Sequence, residues 1–440
     1  MAIVRPRPPE RKAIMTQTAD PAAETATGGW MDRRLWLILI LGSLTAIGPL
    51  SIDLYLPALP ALAGDLSTGA MQTQLTLTAC VAGLAAGQAV AGPLSDTLGR
   101  RRPLLAGLAA YAAASLLCAA APTVETLIAL RVVQGATGAA GIVIARAIVR
   151  DLYQGVAAAR FFSTLMLVTG LAPILAPVAG GQLLRLMPWP GLFAVLSGVG
   201  VALFLGALLG VKETLPPARR ATGGLRATVR TFRGLAADRM FAGYALTIGL
   251  SFGAMFTYIS GSPFVLQDIY GLSPQTFGIA FGVNALGTVT AAQIGGRLAG
   301  LVRLRLLLAV GLGMMTAGGA VLLASVFTGA GVYGVLPALF LVTSGQGFVL
   351  PNATALALTG PASEVAGSAS ALLGVTQFAL GGAAAPLAGI AGPDTAVPMA
   401  VSIAALAVLA SLVTATATRA PRDGGADARQ DTGAAPPSPG

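Results

Sequence analysis

The chain has 440 residues, of which 55% are hydrophobic and only 10% charged, against roughly a quarter charged in soluble domains. A water-facing surface cannot be built from so few charges, so much of the exterior must face lipid. The net charge of +10 would suit nucleic acid, but the charges sit in short segments between apolar runs, which argues against that partner. Histidine is absent, which removes His-based metal sites, catalytic triads and His proton relays; no metal or cofactor is expected.

Residues 1–33 are polar and lack an apolar core ahead of a cleavage site, so a disordered cytoplasmic tail is expected rather than a signal peptide. A membrane-crossing helix needs roughly 20 apolar residues. Six candidates follow, near 35–59, 71–94, 103–121, 124–149, 160–186 and 190–211. A basic stretch at 212–239 separates them from six more, near 240–267, 274–298, 304–327, 331–358, 365–390 and 395–418. Residues 419–440 form a second polar tail, also expected to be disordered and cytoplasmic. The expected fold is all-α and membrane-spanning: twelve helices in two six-helix halves (34–211 and 240–418) joined by a cytoplasmic linker. Cys80 and Cys118 fall inside apolar segments and read as small buried hydrophobes.

Charge placement tests this count independently. With the first tail inside, 25 of the 27 Lys and Arg fall on cytoplasmic segments, as the positive-inside rule requires. The exceptions are Arg185, outside, and Arg131, within a span. One span more or fewer would scramble that alternation.

Along the chain, Asp53 is the first ionisable residue within a span. Arg131 follows in the fourth, at the head of Arg131-Val-Val-Gln134-Gly135. A guanidinium in hydrocarbon costs several kcal/mol unless paired or watered, and such residues mark function. Each lies ~9 Å from the outer end of its helix at 1.5 Å per residue, so an Asp53–Arg131 interaction is expected. The alternative is that Asp53 caps a span end and Arg131 snorkels outward. Asp53 is also the one deep group able to exchange a proton near neutral pH, since desolvation raises a carboxyl's affinity for protons and a nearby arginine lowers it.

Between the second and third spans lies Gly92-Pro-Leu-Ser-Asp96-Thr-Leu-Gly99-Arg100-Arg101-Arg102. Here Gly92 would allow close helix approach and Gly99 a tight turn. Asp96 would form an ionic latch with Arg100 and Arg101, made in one conformation and broken in another. A decayed repeat at Gly296-Arg297-Leu298-Ala299-Gly300 lacks the acid, so the latch is expected to act in the first half. The fifth span carries Ala172-Pro173-Ile-Leu-Ala176-Pro177-Val-Ala-Gly180-Gly181, whose prolines and small residues favour bending and close packing.

The 92–102 segment resembles the loop signature of the major facilitator superfamily, with Thr97 in place of its usual arginine. The 172–181 segment resembles the fifth-helix motif of drug antiporters, with alanine for glycine at 172 and 176. Together with Asp53-Leu-Tyr55-Leu-Pro57, Gly261-Ser262-Pro263-Phe264, Pro351-Asn352-Ala-Thr and Gly367-Ser368-Ala-Ser370, they make the chain similar to the Bcr/CflA group of drug:proton antiporters over 35–418. Trp189-Pro190 departs from that group's usual Trp-Arg. The resemblance implies proton-coupled export of bicyclomycin- or chloramphenicol-like drugs by alternating access, with Asp53 as proton site and Arg131, Gln134 and Gly135 as its conformational partner motif.

A substrate cavity would draw on Tyr55, Phe252, Phe256, Tyr258, Asn284, Gln346, Asn352 and Gln377, since apolar sites with a few polar groups suit lipophilic ligands. The expected partners are small lipophilic or amphiphilic substrates, protons and the lipid bilayer, with the chain a monomer in a bacterial inner membrane. The runner-up is an exporter of an endogenous metabolite, a sugar or a self-made natural product. No nucleotide-binding loop or nucleophile constellation supports an ATP-driven pump or an enzyme.

Overall fold

The structure is a computed structural model that describes residues 21–153, 155–217, 232–359, 366–392 and 394–417. Both ends of the chain and most of the basic linker lie outside the described residues. In chain order the helices are α1 (Pro21–Asp53), α2 (Leu59–Asp65), α3 (Ala70–Leu98), α4 (Arg101–Ala119), α5 (Val124–Leu152), α6 (Gly155–Leu183) and α7 (Trp189–Gly210). After the linker come α8 (Arg239–Phe264), α9 (Pro274–Leu298), α10 (Leu304–Thr328), α11 (Val332–Leu358), α12 (Ala366–Ala384) and α13 (Val397–Ala417). A short turn at Leu56–Ala58 joins α1 to α2, which together make one crossing.

Eleven of these segments are long and apolar enough to cross a membrane. The twelfth expected span, α6, is 29 residues long, with its apolar stretch at Leu167–Leu183. The protein is thus the all-helical, multi-pass architecture that hydropathy and charge placement predict. The first helix begins at Pro21, so the backbone of 21–33 is helical where a polar tail is expected.

Local chemistry sets several ends. Thr123 accepts from the Thr126 amide at 3.3 Å to start α5, and Ser273 caps α9 ahead of Pro274. Asp238 accepts from the Met240 and Phe241 amides to start α8, each cap supplying an acceptor for otherwise orphaned donors.

Within the first half α3 packs on α5, α4 on α7, and α1 on α5 and α6; within the second, α10 packs on α11 and α8 on α12 and α13. The halves meet along two seams, α3 against α12 and α6 against α9. Thr78 donates to the Gly382 carbonyl at 2.9 Å in the first seam. Gln275 Nε2 donates to the Gly181 carbonyl at 2.8 Å in the second. These contacts sit toward the ends of the helices that carry Asp65, Leu183 and Pro274, away from the basic segments. A large buried cluster there includes Tyr55, Phe193, Tyr258 and Phe277 from both halves. The cluster at the basic end of the first half, around Leu41, Leu104 and Ile148, draws on that half alone. The halves are therefore shut at the end opposite the basic segments.

Candidate functional site

The site begins with a break in the first crossing. Leu54 N still bonds to the Leu50 carbonyl at 3.2 Å, but α1 ends at Asp53 and Pro57 lacks the N–H that would continue the ladder. The Ser51 carbonyl, left without a helical donor, accepts instead from Arg131 NH2 at 2.8 Å. The rest of that guanidinium is shared out. Its Nε reaches the Thr76 carbonyl at 3.4 Å, and NH1 donates to Gln134 Oε1. Its face lies 4.5 Å from the Tyr55 ring centre and 5.6 Å from that of Phe193.

Around it, Gln134 Nε2 donates to Ser115 Oγ at 2.8 Å, Ser51 Oγ pairs with Tyr111 OH at 2.7 Å, and Tyr55 OH with Thr76 Oγ1 at 2.9 Å. Arg131 is 0% exposed; it does not snorkel. One side chain thus ties α1, α3, α5 and α7 together, with α4 joined through Ser115 and Tyr111. Charge-assisted hydrogen bonds of about 1.5–3 kcal/mol each and cation–π contacts of about 2 offset the cost of burying a guanidinium that has no counter-ion among the described residues.

The expected Asp53–Arg131 interaction is not made. Asp53 is buried, 5% exposed, and both ion pairs among the described residues lie elsewhere. The reason is azimuth. Residues 51 and 53 stand about 200° apart on a helix at 100° per residue, so with Ser51 turned to α5, Asp53 turns away. It lies within electrostatic reach of Tyr258 on α8, in the other half, and forms no ion pair with any guanidinium among the described residues. Tyr258 stacks on Phe281 with ring centres 5.2 Å apart and accepts from Asn284 Nδ2 at 3.0 Å. Asp53 therefore sits at the junction of the halves.

The 92–102 segment carries a cluster of ion pairs within the first half. Gly99 adopts φ +90°, which a glycine accepts without strain and which swings Arg100 back over α3. Arg100 pairs with Asp96 and, at 3.0 Å, with Asp151 at the end of α5, and donates to Ser95 Oγ at 2.8 Å. Partial burial would lower its proton affinity, but Asp151 and Asp96 hold it above the ordinary arginine value. Arg101 makes no ion pair with Asp96; it caps α7 through the Val211 and Leu208 carbonyls at 3.0 and 2.9 Å. Glu213 returns the favour to α4, accepting from the Arg100 and Arg101 amides at 2.8 and 3.2 Å. Burial alone would raise the Glu213 carboxyl; four backbone N–H groups, those of Leu215, Arg100, Arg101 and Thr214, hold it below its ordinary range. Gly92 does not have the expected packing role. A methyl there would meet only Val143, at 3.8 Å, so no close approach depends on it.

Close approach does decide two other positions. A Cβ at Gly135 would overlap the Cys80 carbonyl, so this glycine serves the α3–α5 crossing. In α6, Pro173 and Pro177 lie inside the helix. Gly180 rests on the Leu54 carbonyl and Gly181 on that of Pro274, in the other half. The motif thus abuts both the broken first crossing and the α6–α9 seam.

The expected cavity residues do not form one group. Phe252 is half-buried, stacked on Phe256 at 5.6 Å and edge-on to Phe378 at 5.7 Å. Phe378 is the sequence neighbour of Gln377, also half-buried. Tyr258 and Asn284 pair with each other near Asp53, while Tyr55 is fully buried against Arg131 and Thr76 and offers no face to a ligand. Asn352 donates back to the Phe348 carbonyl of its own helix at 2.7 Å. Gln346 is buried with neither amide atom hydrogen-bonded. Sequence reasoning missed Asp151, Glu213 and Phe378.

The chain matches the family model described as Major Facilitator Superfamily over residues 29–386. It belongs to that superfamily. Among curated relatives it is 44% identical over 339 residues to the uncharacterized MFS-type transporter YdgK of Bacillus subtilis, covering 77% of this chain and 84% of that protein. It is 30% identical over 375 residues to a bicyclomycin resistance protein homolog of Haemophilus influenzae, covering 85% and 94% respectively. Among solved structures it superposes with a TM-score of 0.72 and 14% identity on a bacterial homologue of the human lysosomal transporter Spinster, described as inward-facing and occupied, covering 88% and 97% of the two chains. As a major facilitator protein the chain is a membrane transporter of small molecules, not an enzyme.

Proposed function

We propose that the protein is a proton-driven exporter of small amphiphilic molecules, antibiotics among them, working as an antiporter in a bacterial inner membrane. The observation that carries this reading is Asp53: a buried carboxyl with no ion-pair partner among the described residues, at the broken end of α1 and within electrostatic reach of Tyr258 in the other half. Its environment must change when the halves rock, and a carboxyl whose burial changes also changes its proton affinity. Proton uptake and helix movement are thereby linked. Drug export is supported by the similarity to the bicyclomycin resistance homolog and to the multidrug resistance protein MdtL of Salmonella heidelberg, 31% identical over 243 residues and 61% of that protein's length.

In this reading the basic segments and both tails face the cytoplasm, so a molecule shut at the opposite end is open inward. Arg131 acts structurally, setting the position of the α1 break and hence of Asp53. The half-buried Phe252 and Phe378, backed by the buried Phe256 and with Gln377 beside them, are the aromatic wall a lipophilic substrate would use. The transporter works as a monomer, each chain holding both halves of the path.

The test is expression in a pump-deficient bacterial host, scoring resistance to a panel of antibiotics with and without a protonophore. Resistance to at least one compound, abolished by the protonophore and by Asp53→Asn at equal expression, is expected. Resistance that persists in the Asp53→Asn variant would sink the coupling role, and sensitivity to every compound would favour a dedicated metabolite exporter.

A further inference from the structure

Asp53 and Tyr258 are buried polar groups, one in each half, and each lacks what the other has. Tyr258 is 1% exposed and held from two sides: its ring stacks on Phe281 and its oxygen accepts from Asn284 Nδ2 at 3.0 Å. Its own O–H has no acceptor among the described residues. The Asp53 carboxyl, purely an acceptor when ionised, has no donor among them. No hydrogen bond joins the two in the structure, yet the segments that carry them already touch. The Leu56–Ala58 turn packs on α8 and α9, the helices of Tyr258 and Asn284. Ile52 and Leu54, on either side of Asp53, share one buried cluster with Tyr258 and Phe281.

The other ionisable groups near this point are committed or remote. Arg131 on α5 bonds to Ser51, Thr76 and Gln134, Tyr111 on α4 to Ser51, and Tyr55 to Thr76; Cys80 on α3 is a buried thiol. Among their described side chains α6, α7 and α12 carry no ionisable group; Arg297 of α9 and Arg239 of α8 lie at the basic ends of those helices. Buried donors and acceptors normally find partners, and a hydroxyl bonds most strongly to a charged acceptor. We propose that Tyr258 is the second-half partner of the proton site: its hydroxyl donates to Asp53 while the carboxyl is ionised and is released when the carboxyl gains a proton. The transported proton adds to the Asp53 carboxylate, and Tyr258 keeps its own throughout. The bond ties α1 to α8 within the cluster that shuts the molecule, so the ionised, empty carrier is held closed there and protonation frees the halves to part. This inference rests on the reading of Asp53 as the proton site.

The experiment titrates the purified full chain over about pH 4 to 10 and follows the Asp53 carboxylic C=O stretch by infrared spectroscopy, with Asp53→Asn assigning the band. No transported compound is needed. Tyr258→Phe keeps the ring and its stack on Phe281 and removes only the hydroxyl. It should protonate Asp53 at about tenfold lower proton concentration than the parent, because the ionised form has lost its donor. Asn284→Leu, which removes the donor that polarises the Tyr258 hydroxyl, should move the profile the same way by less, and should add nothing to Tyr258→Phe. If Tyr258→Phe alone melts below the parent, the double variant, which strands no amide, is titrated in its place. A profile unmoved by loss of the hydroxyl overturns the partnership and leaves Asp53 as the proton site. The absence of any Asp53-dependent band across the range overturns the proton-site reading and the partnership with it.

Discussion

Substituting Asp53 and Arg131 in turn distinguishes an ion pair from two independent sites. If the two formed a buried pair, Asp53→Asn would strand a guanidinium and cost about 3–5 kcal/mol. In the structure the guanidinium is held by the Ser51 and Thr76 carbonyls, Gln134 and two aromatic faces, none of which involves Asp53. Asp53→Asn should therefore change stability by less than about 1 kcal/mol, the usual range for a substitution that leaves no buried group stranded. Arg131→Met is a different matter. It takes the donors from the Ser51 carbonyl and Gln134 Oε1, each about 1–3 kcal/mol, partly offset by removal of a buried charge, for a net loss of roughly 2–4 kcal/mol. Cys80 and Cys118 are buried free thiols, so a thiol-reactive fluorophore reports unfolding of the detergent-solubilised protein on heating. Arg131→Met should melt several degrees below the parent and Asp53→Asn within a degree or two of it. Equal, large losses in both variants would refute the separation.

Further predictions follow from the packing and the caps. Gly92→Ala, though within the most recognisable motif, should leave melting and transport unchanged, whereas Gly135→Ala, forced onto the Cys80 carbonyl, should cost about 1–3 kcal/mol; the same melting assay ranks them. A Thr78→Cys/Gly382→Cys pair, within reach for a disulfide because a Cβ at Gly382 lies 3.5 Å from Thr78 Cγ2, should stop transport when oxidised and restore it under reductant. Undiminished transport in the oxidised form would show that the α3–α12 seam need not open. Glu213, with its folded-state pKa depressed, stabilises the α4 start fully at pH above its unfolded value, ~4.3, and loses that contribution as pH falls through its folded-state value. Glu213→Gln should flatten this acid-side loss, seen as melting temperature against pH from 3 to 6.

The span count and the two-half layout were legible because a bilayer imposes its thickness on every crossing. Roughly 20 apolar residues must separate polar ends, and no tertiary contact can relax that. The special status of Arg131 and Asp53 was legible for the same reason, since a charge inside an apolar run must be accommodated. Their depth could be read from residue counts, but their partners could not. Helical rise is a property of the chain, whereas the azimuth of Asp53 depends on how α1 packs and where it breaks before Tyr55 and Pro57. The partners of Arg100 illustrate the same limit: Asp151 lies 51 positions away and Glu213 113 positions away, and no periodicity connects them. Gly92 and Gly135 are the same residue type in comparable motifs, yet a methyl at one would meet only the Val143 side chain at ordinary contact distance and at the other a backbone carbonyl. Sequence thus determined what must cross the membrane and which charges need accommodation. Tertiary packing decided what each of them faces, because burial is dictated by the solvent while contact requires two helices to meet.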